Sequence, residues 1–564
     1  MTTQSEPITG AKFIAETLKG YGVTHVFYVE AMLRMASAEM ESLDITRVIT
    51  HSEIAAAYMA DGYARAGGKP GVCMAQSVGA ANLAAGLQDA YLGCSPVIAL
   101  TGKKPPSKQM RNAYQEVDHW PLFEPVTTFN AAVDEPDQLP GLMRQAFREA
   151  VSGKPRPVHL DLLGRMGRPI ETAILPGEAL VVEQAYCQVP VHRPRAPEQD
   201  LAAAARRIEL AERPVIVAGG GARLSDAGIA ILSLARKGEI PVVTSVTGKG
   251  VIPEDDPLWA GIVGGYSMRP ANQTVNRADL VIFIGSGTGD QTTLDWRIPR
   301  PGTVVVQIDI DPRELGRNYP GAIGLLGDAR EVVRQLTDAV SSCFHPDWLD
   351  EKDQYLQDWQ KEKAWARIAS DMPIRPECLC YEIEKALPAD AILVSDTGNS
   401  AIWTATMLKI TQPQQKYLRA AGSLGWAFPA SLGAKCACPD QPVVCFCGDG
   451  AFYYYISELE TARRYGMKTV TVVNNNQGYT QGLPDVLSVY EKNTGNPESL
   501  YRFEPVNISQ VAEAFGCQSV RVENPDVLPS VLTQAVQANE AVVVEVITDP
   551  LVQPDKPWFE AKEA

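Results

Sequence analysis

At 564 residues the chain is too long for one hydrophobic core, and three domains of ordinary size fit it. With 45% apolar and 21% charged residues it reads as a soluble globular protein, and no apolar run reaches the ~20 residues that span a bilayer. A formal charge of −16 argues against nonspecific nucleic-acid binding. The opening residues Met1 to Pro7 lack a basic segment followed by an apolar stretch, so no secretory signal is read and a cytoplasmic location is expected. Eleven cysteines with no Cys-x-x-Cys spacing and no Cys/His cluster read as reduced core thiols rather than disulfides or a zinc site.

The first unit, 1–180, alternates apolar strands (Val26–Val29, Gly71–Met74, Val97–Leu100, Val158–Leu162) with helical stretches, the βαβ pattern of a mostly parallel sheet. Phe27-Tyr28-Val29-Glu30-Ala31-Met32 ends the first strand. Glu30 there either faces a pocket or turns outward and caps the following helix. Val48-Ile49-Thr50 is a further strand, and Glu53 opens an Ala-rich helix just after it. Taken alone, such an acid complements the helix dipole. Gln76-Ser77-Val78-Gly79 turns after the Gly71–Met74 strand. Lys103, Lys104, Lys108 and Arg111 precede Tyr114-Gln115-Glu116-Val117-Asp118-His119 and read as a solvated loop, with an anionic substrate or a CoA tail as the alternative.

A proline-containing connector leads to the second unit, 190–342. Strands at Pro214–Ala218 and Leu280–Ile284 run into Gly-rich turns, and Gln307-Ile308-Asp309-Ile310-Asp311 puts acids at a strand end. No full G-x-G-x-x-G accompanies them, so they read as tight turns of a Rossmann-like scaffold ahead of a nucleotide site. A charged helical linker precedes the third unit, 370–550. Here Gly448-Asp449-Gly450 follows the apolar run Val443–Cys447, and Asn474-Asn475-Asn476-Gln477-Gly478-Tyr479 follows Thr469–Val473, with a crossover helix expected over Phe452–Arg464. A carboxylate and an amide at neighbouring strand ends are the hard oxygen donors that Mg²⁺ and a diphosphate need. The polar tail from Asp549 covers a surface or frays.

These motifs together resemble those of thiamine-diphosphate enzymes, in the acetolactate-synthase-like branch, over nearly the whole chain. The resemblance implies three doubly wound α/β domains: pyrimidine-binding (1–180), Rossmann-like middle (190–342) and diphosphate-binding (370–550). It implies that Asp449, the Asn476 side chain and the Gly478 carbonyl hold Mg²⁺, with Gly448, Gly450, Ala451 and Tyr479 beside thiamine diphosphate. Gly398, Asn399 and Ser400, from Asp396-Thr397-Gly398-Asn399-Ser400, become diphosphate or pyrimidine contacts. Leu424, in Gly422-Ser423-Leu424-Gly425-Trp426, props the cofactor in its bent form. Glu53 becomes the acid that hydrogen-bonds the aminopyrimidine and promotes loss of the C2 proton, and Gln115 faces the reacting carbon. In the family this glutamate and the metal motif meet across a subunit boundary, which implies a homodimer or homotetramer.

Departures from the relatives narrow the expected chemistry. Thr127-Thr128-Phe129-Asn130 lacks the lysine of acetolactate synthases. Gly287-Thr288-Gly289-Asp290 stands where their flavin segment lies, so FAD is not expected. Thr480-Gln481-Gly482-Leu483 lacks their acceptor-selecting tryptophan. Val29, Glu30, Gln76, Ser77 and Thr480 form the altered substrate pocket. The leading expectation is 2-keto acid decarboxylation with aldehyde release, or ligation of the donor to a second carbonyl. The alternative is a non-decarboxylating lyase or hydrolase of an acyloin, a diketone or a 2-hydroxyacyl-CoA. A nucleotide-binding protein without thiamine chemistry and a catalytically dead relative are the readings from other classes.

Overall fold

The computed structural model describes residues 6–560. Three six-stranded parallel sheets follow one another, each flanked by helices, as the α/β expectation requires. In the first domain a short antiparallel pair, β1 (Ile8–Thr9) with β8 (Ile174–Leu175), ties the start to the end. Between them run β2 (His25–Tyr28), β3 (Thr46–Ile49), β4 (Gly71–Gln76), β5 (Val97–Lys103), β6 (Phe129–Val133) and β7 (Val158–Leu163), in the spatial order β3-β2-β4-β5-β7-β6.

The middle sheet contains β9 (Pro214–Ala218), β10 (Val242–Thr244), β11 (Trp259–Ile262), β12 (Leu280–Ile284), β13 (Val304–Asp309) and β14 (Ile323–Leu326), in the order β11-β10-β9-β12-β13-β14. That is the arrangement of dinucleotide-binding sheets, whose switch point falls between β9 and β12. The third sheet contains β15 (Ile392–Ser395), β16 (Lys416–Arg419), β17 (Val443–Gly448), β18 (Thr469–Asn475), β19 (Gln518–Val522) and β20 (Val542–Ile547), in the order β16-β15-β17-β18-β20-β19. Strand for strand this repeats the first domain. The central strands are buried along almost their whole length, because helices cover both faces, and they read as unbroken apolar runs for the same reason.

The first and third domains pack through two helices, Glu53–Gly67 and Ala427–Ala437. Their backbones touch where each carries a glycine. A Cβ on Gly62 would sit 2.0 Å from the Ala430 carbonyl oxygen, and one on Gly433 would sit 1.8 Å from that of Met59. Beside this crossing lies a buried ion cluster. Arg65 donates to both oxygens of Asp61 at 2.7 Å, to Asp89 at 3.0 Å and to the Arg419 carbonyl at 2.8 Å, and its guanidinium stacks on Trp426.

Two local features differ from the sequence reading. The crossover helix over Phe452–Arg464 is two pieces, Asp449–Tyr453 and Glu458–Arg464. The aromatic run between them is claimed by tertiary contacts: Tyr455 meets Tyr58 edge-on at 5.6 Å, and Tyr454 packs on Gly425. The tail covers a surface: the Trp558 carbonyl accepts from Asn272, Asp555 pairs with Lys363, and Glu560 pairs with Arg300. Among the described residues all eleven cysteines are free thiols, and no helix is long and apolar enough to cross a membrane.

Candidate active site

The carboxyl edge of the third sheet gathers the predicted diphosphate and metal residues. β17 and β18 are paired so that Gly448 lies beside Asn474, which brings Asp449 and Asn476 to adjacent strand ends. Asp449 Oδ2 and Asn476 Oδ1 are both buried without a hydrogen-bond partner among the described residues. Two orphaned hard oxygens, one anionic and one amide, are what a small divalent ion would satisfy. Burial pushes the Asp449 carboxyl up to about 7, against the pull of backbone N–H groups of Gly450, Gly478 and Gln477. The Asn476 amide nitrogen is committed to Thr480 Oγ1 at 2.8 Å, so its oxygen is the atom left facing inward.

Around this pair the cradle closes. Gly398 has φ 67° and ψ −144°, a backbone region open to glycine almost alone, and it caps the helix Asn399–Met407. A Cβ there would approach Gln481 Oε1 to 3.1 Å. Asn399 reaches Thr480 Oγ1 at 3.4 Å, and Ser400 lies across from Gly448. Gly450 backs onto the Tyr479 ring. Asp396 joins the cradle to the Leu424 segment: its buried carboxylate accepts from the N–H groups of Thr397 (2.9 Å), Gly425 (3.1 Å) and Ala427 (2.8 Å). Asp89, from the first domain, accepts from Ala421, Gly422 and Ser423 on the other side of Leu424. Both carboxylates escaped the sequence reading. Asp396 was quoted there only as part of a loop, and its use as a backbone anchor has no motif.

The first domain gathers a second set. Ser52 caps the helix that Glu53 opens. Glu53 Oε2 accepts from Asn82 at 3.1 Å, and a Cβ on Gly79 would lie 2.4 Å from Oε1, so the Gln76–Gly79 turn is built against this acid. Ser77 Oγ donates to the Gln115 carbonyl. His119, fully buried, contacts the Ser77 carbonyl through Nε2 (2.9 Å) and Asp161 through Nδ1 (3.0 Å). Asp161 is held below the usual carboxylate range, the His119 hydrogen bond and the two nearby histidines outweighing burial. Val29 is half-buried at the end of β2, whereas Glu30 turns to the surface and pairs with Arg34 at 2.6 Å. Arg34 holds Glu30 below its ordinary range, so it remains ionised, and its side chain takes the outward of the two expected directions.

Among the described residues Glu53 makes no hydrogen bond to Asp449, Asn476, Leu424 or the Gly398 cradle. The two groups of candidate residues lie at the edges of two different sheets. A third edge holds a cavity of about 840 Å³ at the middle sheet's switch point, between the Gly219–Gly221 and Gly285–Gly289 turns and against Lys154 and Asp309.

Family comparisons match this arrangement domain by domain. Residues 8–122 match the N-terminal thiamine pyrophosphate-binding domain of thiamine pyrophosphate enzymes, 201–336 their central domain and 396–546 their C-terminal thiamine pyrophosphate-binding domain. A probable acetolactate synthase large subunit of Methanocaldococcus jannaschii is 34% identical over 561 residues, covering 96% of this chain and 92% of the relative. The chain belongs to the thiamine pyrophosphate enzyme family. Further relatives are a probable acetolactate synthase large subunit of Methanococcus aeolicus (30% identical, 96% and 92% covered) and the acetolactate synthase isozyme 1 large subunit of Escherichia coli K12 (30%, 93% and 91%). It is thus a thiamine-diphosphate-dependent enzyme of the acetolactate-synthase-like branch, a carboligase or lyase.

Proposed function

We propose that the protein decarboxylates a 2-keto acid and either releases the aldehyde or ligates the donor fragment to a second carbonyl. The observation that carries this reading is the orphaned oxygen pair of Asp449 and Asn476 inside a glycine cradle, on a sheet edge of the family's C-terminal domain. In this reading Asp449, Asn476 and the Gly478 carbonyl hold Mg²⁺. Gly398, Asn399, Ser400, Gly448, Gly450, Ala451 and Tyr479 receive the diphosphate end, and Leu424 supports the ring pair from beneath. When bound, thiamine diphosphate supplies an electron sink for the bond next to the carbonyl. Glu53 holds the proton that the aminopyrimidine needs in order to act as a base. Gln115, Val29, Gln76, Ser77 and Thr480 line the substrate space, with Glu30 at its rim.

In this reading, as the family resemblance implies, Glu53 of one copy meets the metal motif of another, in a homodimer or homotetramer. Gly287-Thr288-Gly289-Asp290 stands where the relatives' flavin segment lies, so the reading includes no flavin. No targeting feature enters the argument, and the cytoplasm remains the expected compartment. The test is carbon dioxide release from a panel of 2-keto acids, beginning with pyruvate, by protein loaded with thiamine diphosphate and Mg²⁺. Release that Glu53→Gln abolishes is the expected result. Bound cofactor with no release from any keto acid would instead favour cleavage of an acyloin, a diketone or a 2-hydroxyacyl-CoA.

A further inference from the structure

A guanidinium stands beside Gln115 without an anionic partner. Arg165 follows the end of β7, and its Nη1 donates to Gln115 Oε1 at 3.0 Å. Its other contact is the Tyr114 ring, 5.7 Å away. Among the described residues no carboxylate pairs with it. The seat is rigid. A Cβ on Gly102 would lie 2.3 Å from the Arg165 carbonyl oxygen, and Gln115 sits at φ 60°, held by the Ser77 hydroxyl on its carbonyl. A left-handed backbone at a non-glycine residue costs free energy, and such residues gather at functional loops.

The neighbouring acids are otherwise engaged. Glu116 receives the N–H groups of Met110 and Ala113, Asp118 that of Trp120, Asp134 the ammonium of Lys103, and Asp161 the His119 ring. Lys104, Lys108 and Arg111 add positive charge on the loop before Gln115 and form no ion pair among the described residues. A half-buried guanidinium with one amide partner keeps most of its planar N–H fork free, and that fork matches an anion's oxygens two at a time. The position matters as much as the charge. Ser77 links Gln115 to the turn built against Glu53, so an anion on Arg165 lies in the same loop cluster as the candidate catalytic acid.

A guanidinium on the carboxylate that departs as carbon dioxide would stabilise the ground state and slow its loss. The anion that suits Arg165 is one the reaction leaves in place. We propose that Arg165, steered by Gln115, anchors a non-reacting anionic group of the carbonyl substrate, on either the donor or the acceptor. The proposal rests on the carbonyl-ligation reading above and narrows its substrate class.

The test compares matched substrates on the assembled, cofactor-loaded protein. The donor arm sets 2-ketoglutarate against 2-ketopentanoate, and the acceptor arm sets pyruvate against acetaldehyde. The wild type should favour the anionic member in one arm by about tenfold or more in kcat/KM, the size of one charge-assisted hydrogen bond. That arm identifies which substrate carries the anion. Arg165→Gln should erase the ratio, mainly through KM, and Arg165→Lys should restore part of it. An unchanged ratio in Arg165→Gln, or no preference in either arm of the wild type, overturns the assignment. If no carbonyl compound is turned over, calorimetric titration with succinate separates the two claims. Saturable binding lost in Arg165→Gln keeps the anion site while sinking the keto-acid reading. Equal titrations of the two proteins, including no binding by either, sink the anion site as well.

Discussion

In the third domain the loops after the first four strands are Asp396–Ser400, Ala420–Trp426, Asp449–Ala451 and Asn476–Leu483. In the first domain the matching loops are Val29–Met32, Ser52–Glu53, Gln76–Gly79 and Lys104–His119. By strand position Leu424 corresponds to Glu53, Asp449 to Ser77, and the Asn476 loop to the Gln115 loop. The third-domain loops are glycine-rich, and their orphaned buried atoms are the oxygens Asp449 Oδ2 and Asn476 Oδ1. The first-domain loops bear charge and the buried His119, with the buried His159 on β7 behind them and the unpaired Arg165 guanidinium just after that strand. On the proposed assignment one scaffold presents a binding edge and a proton-and-charge edge, and the strand order alone says nothing of which is which.

The sharpest way to break this division is to remove one acid from each edge. Glu53→Gln should cut turnover by about 10² to 10⁴, the usual worth of a positioned acid or base, while thiamine diphosphate and Mg²⁺ still bind. Asp449→Ala should do the reverse at low cofactor concentration: binding of both falls together, and excess cofactor recovers part of the rate. Calorimetric titration of the two variants beside steady-state rates checks the pair. If Glu53→Gln loses cofactor binding as severely as Asp449→Ala does, the edges do not divide the work.

The fold was legible because parallel strands covered on both faces read as apolar runs, and because glycine and asparagine at strand ends announce tight turns. The same signals marked the Asp449 and Asn476 turns as candidates, whereas Gly398 was named only through the family resemblance. What stayed hidden was held by distance in sequence. Asp89 reaches Ala421 to Ser423, and Asp61 in one helix accepts from Trp426 in another. An acid serving three backbone N–H groups of a remote loop leaves no periodicity to read. Asp61 and Arg65 sit four apart on a helix in plain view, yet that spacing is equally ordinary on a solvated face. Glu30 shows the opposite limit: its chemistry was visible, but the choice between pocket and surface was made by Arg34 one turn on.

The seam between the two domains offers a second break. Arg65 is 7% exposed, and the Asp61 and Asp89 side chains are fully buried beside it, so Arg65→Met leaves two carboxylates without their cation. Removing one partner of such a cluster costs about 3–5 kcal/mol. We expect a lower urea midpoint for the full-length variant and earlier loss of the Trp426 fluorescence environment. Melting at the wild-type midpoint would mean that the helix crossing alone carries the seam, with no contribution from the ion cluster.

The smallest effect belongs to pH and follows from the binding edge. Without metal, burial raises the Asp449 carboxyl from its ordinary 3.8 to about 7. A folded value above the unfolded one means that the metal-free protein loses stability from this group as pH rises from about 4 through about 7, because the charge must then be buried uncompensated. On the proposed assignment Mg²⁺ needs that same charge, so proton and metal compete for one atom pair. Below about pH 7 the apparent affinity for Mg²⁺ with thiamine diphosphate should therefore fall by up to about tenfold per unit, with protons taken up when the complex dissociates. Asp449→Asn should flatten the dependence as well as weaken binding. Titrations between about pH 6 and about pH 8 decide it: a flat wild-type profile would show that the Asp449 charge is compensated before the metal arrives.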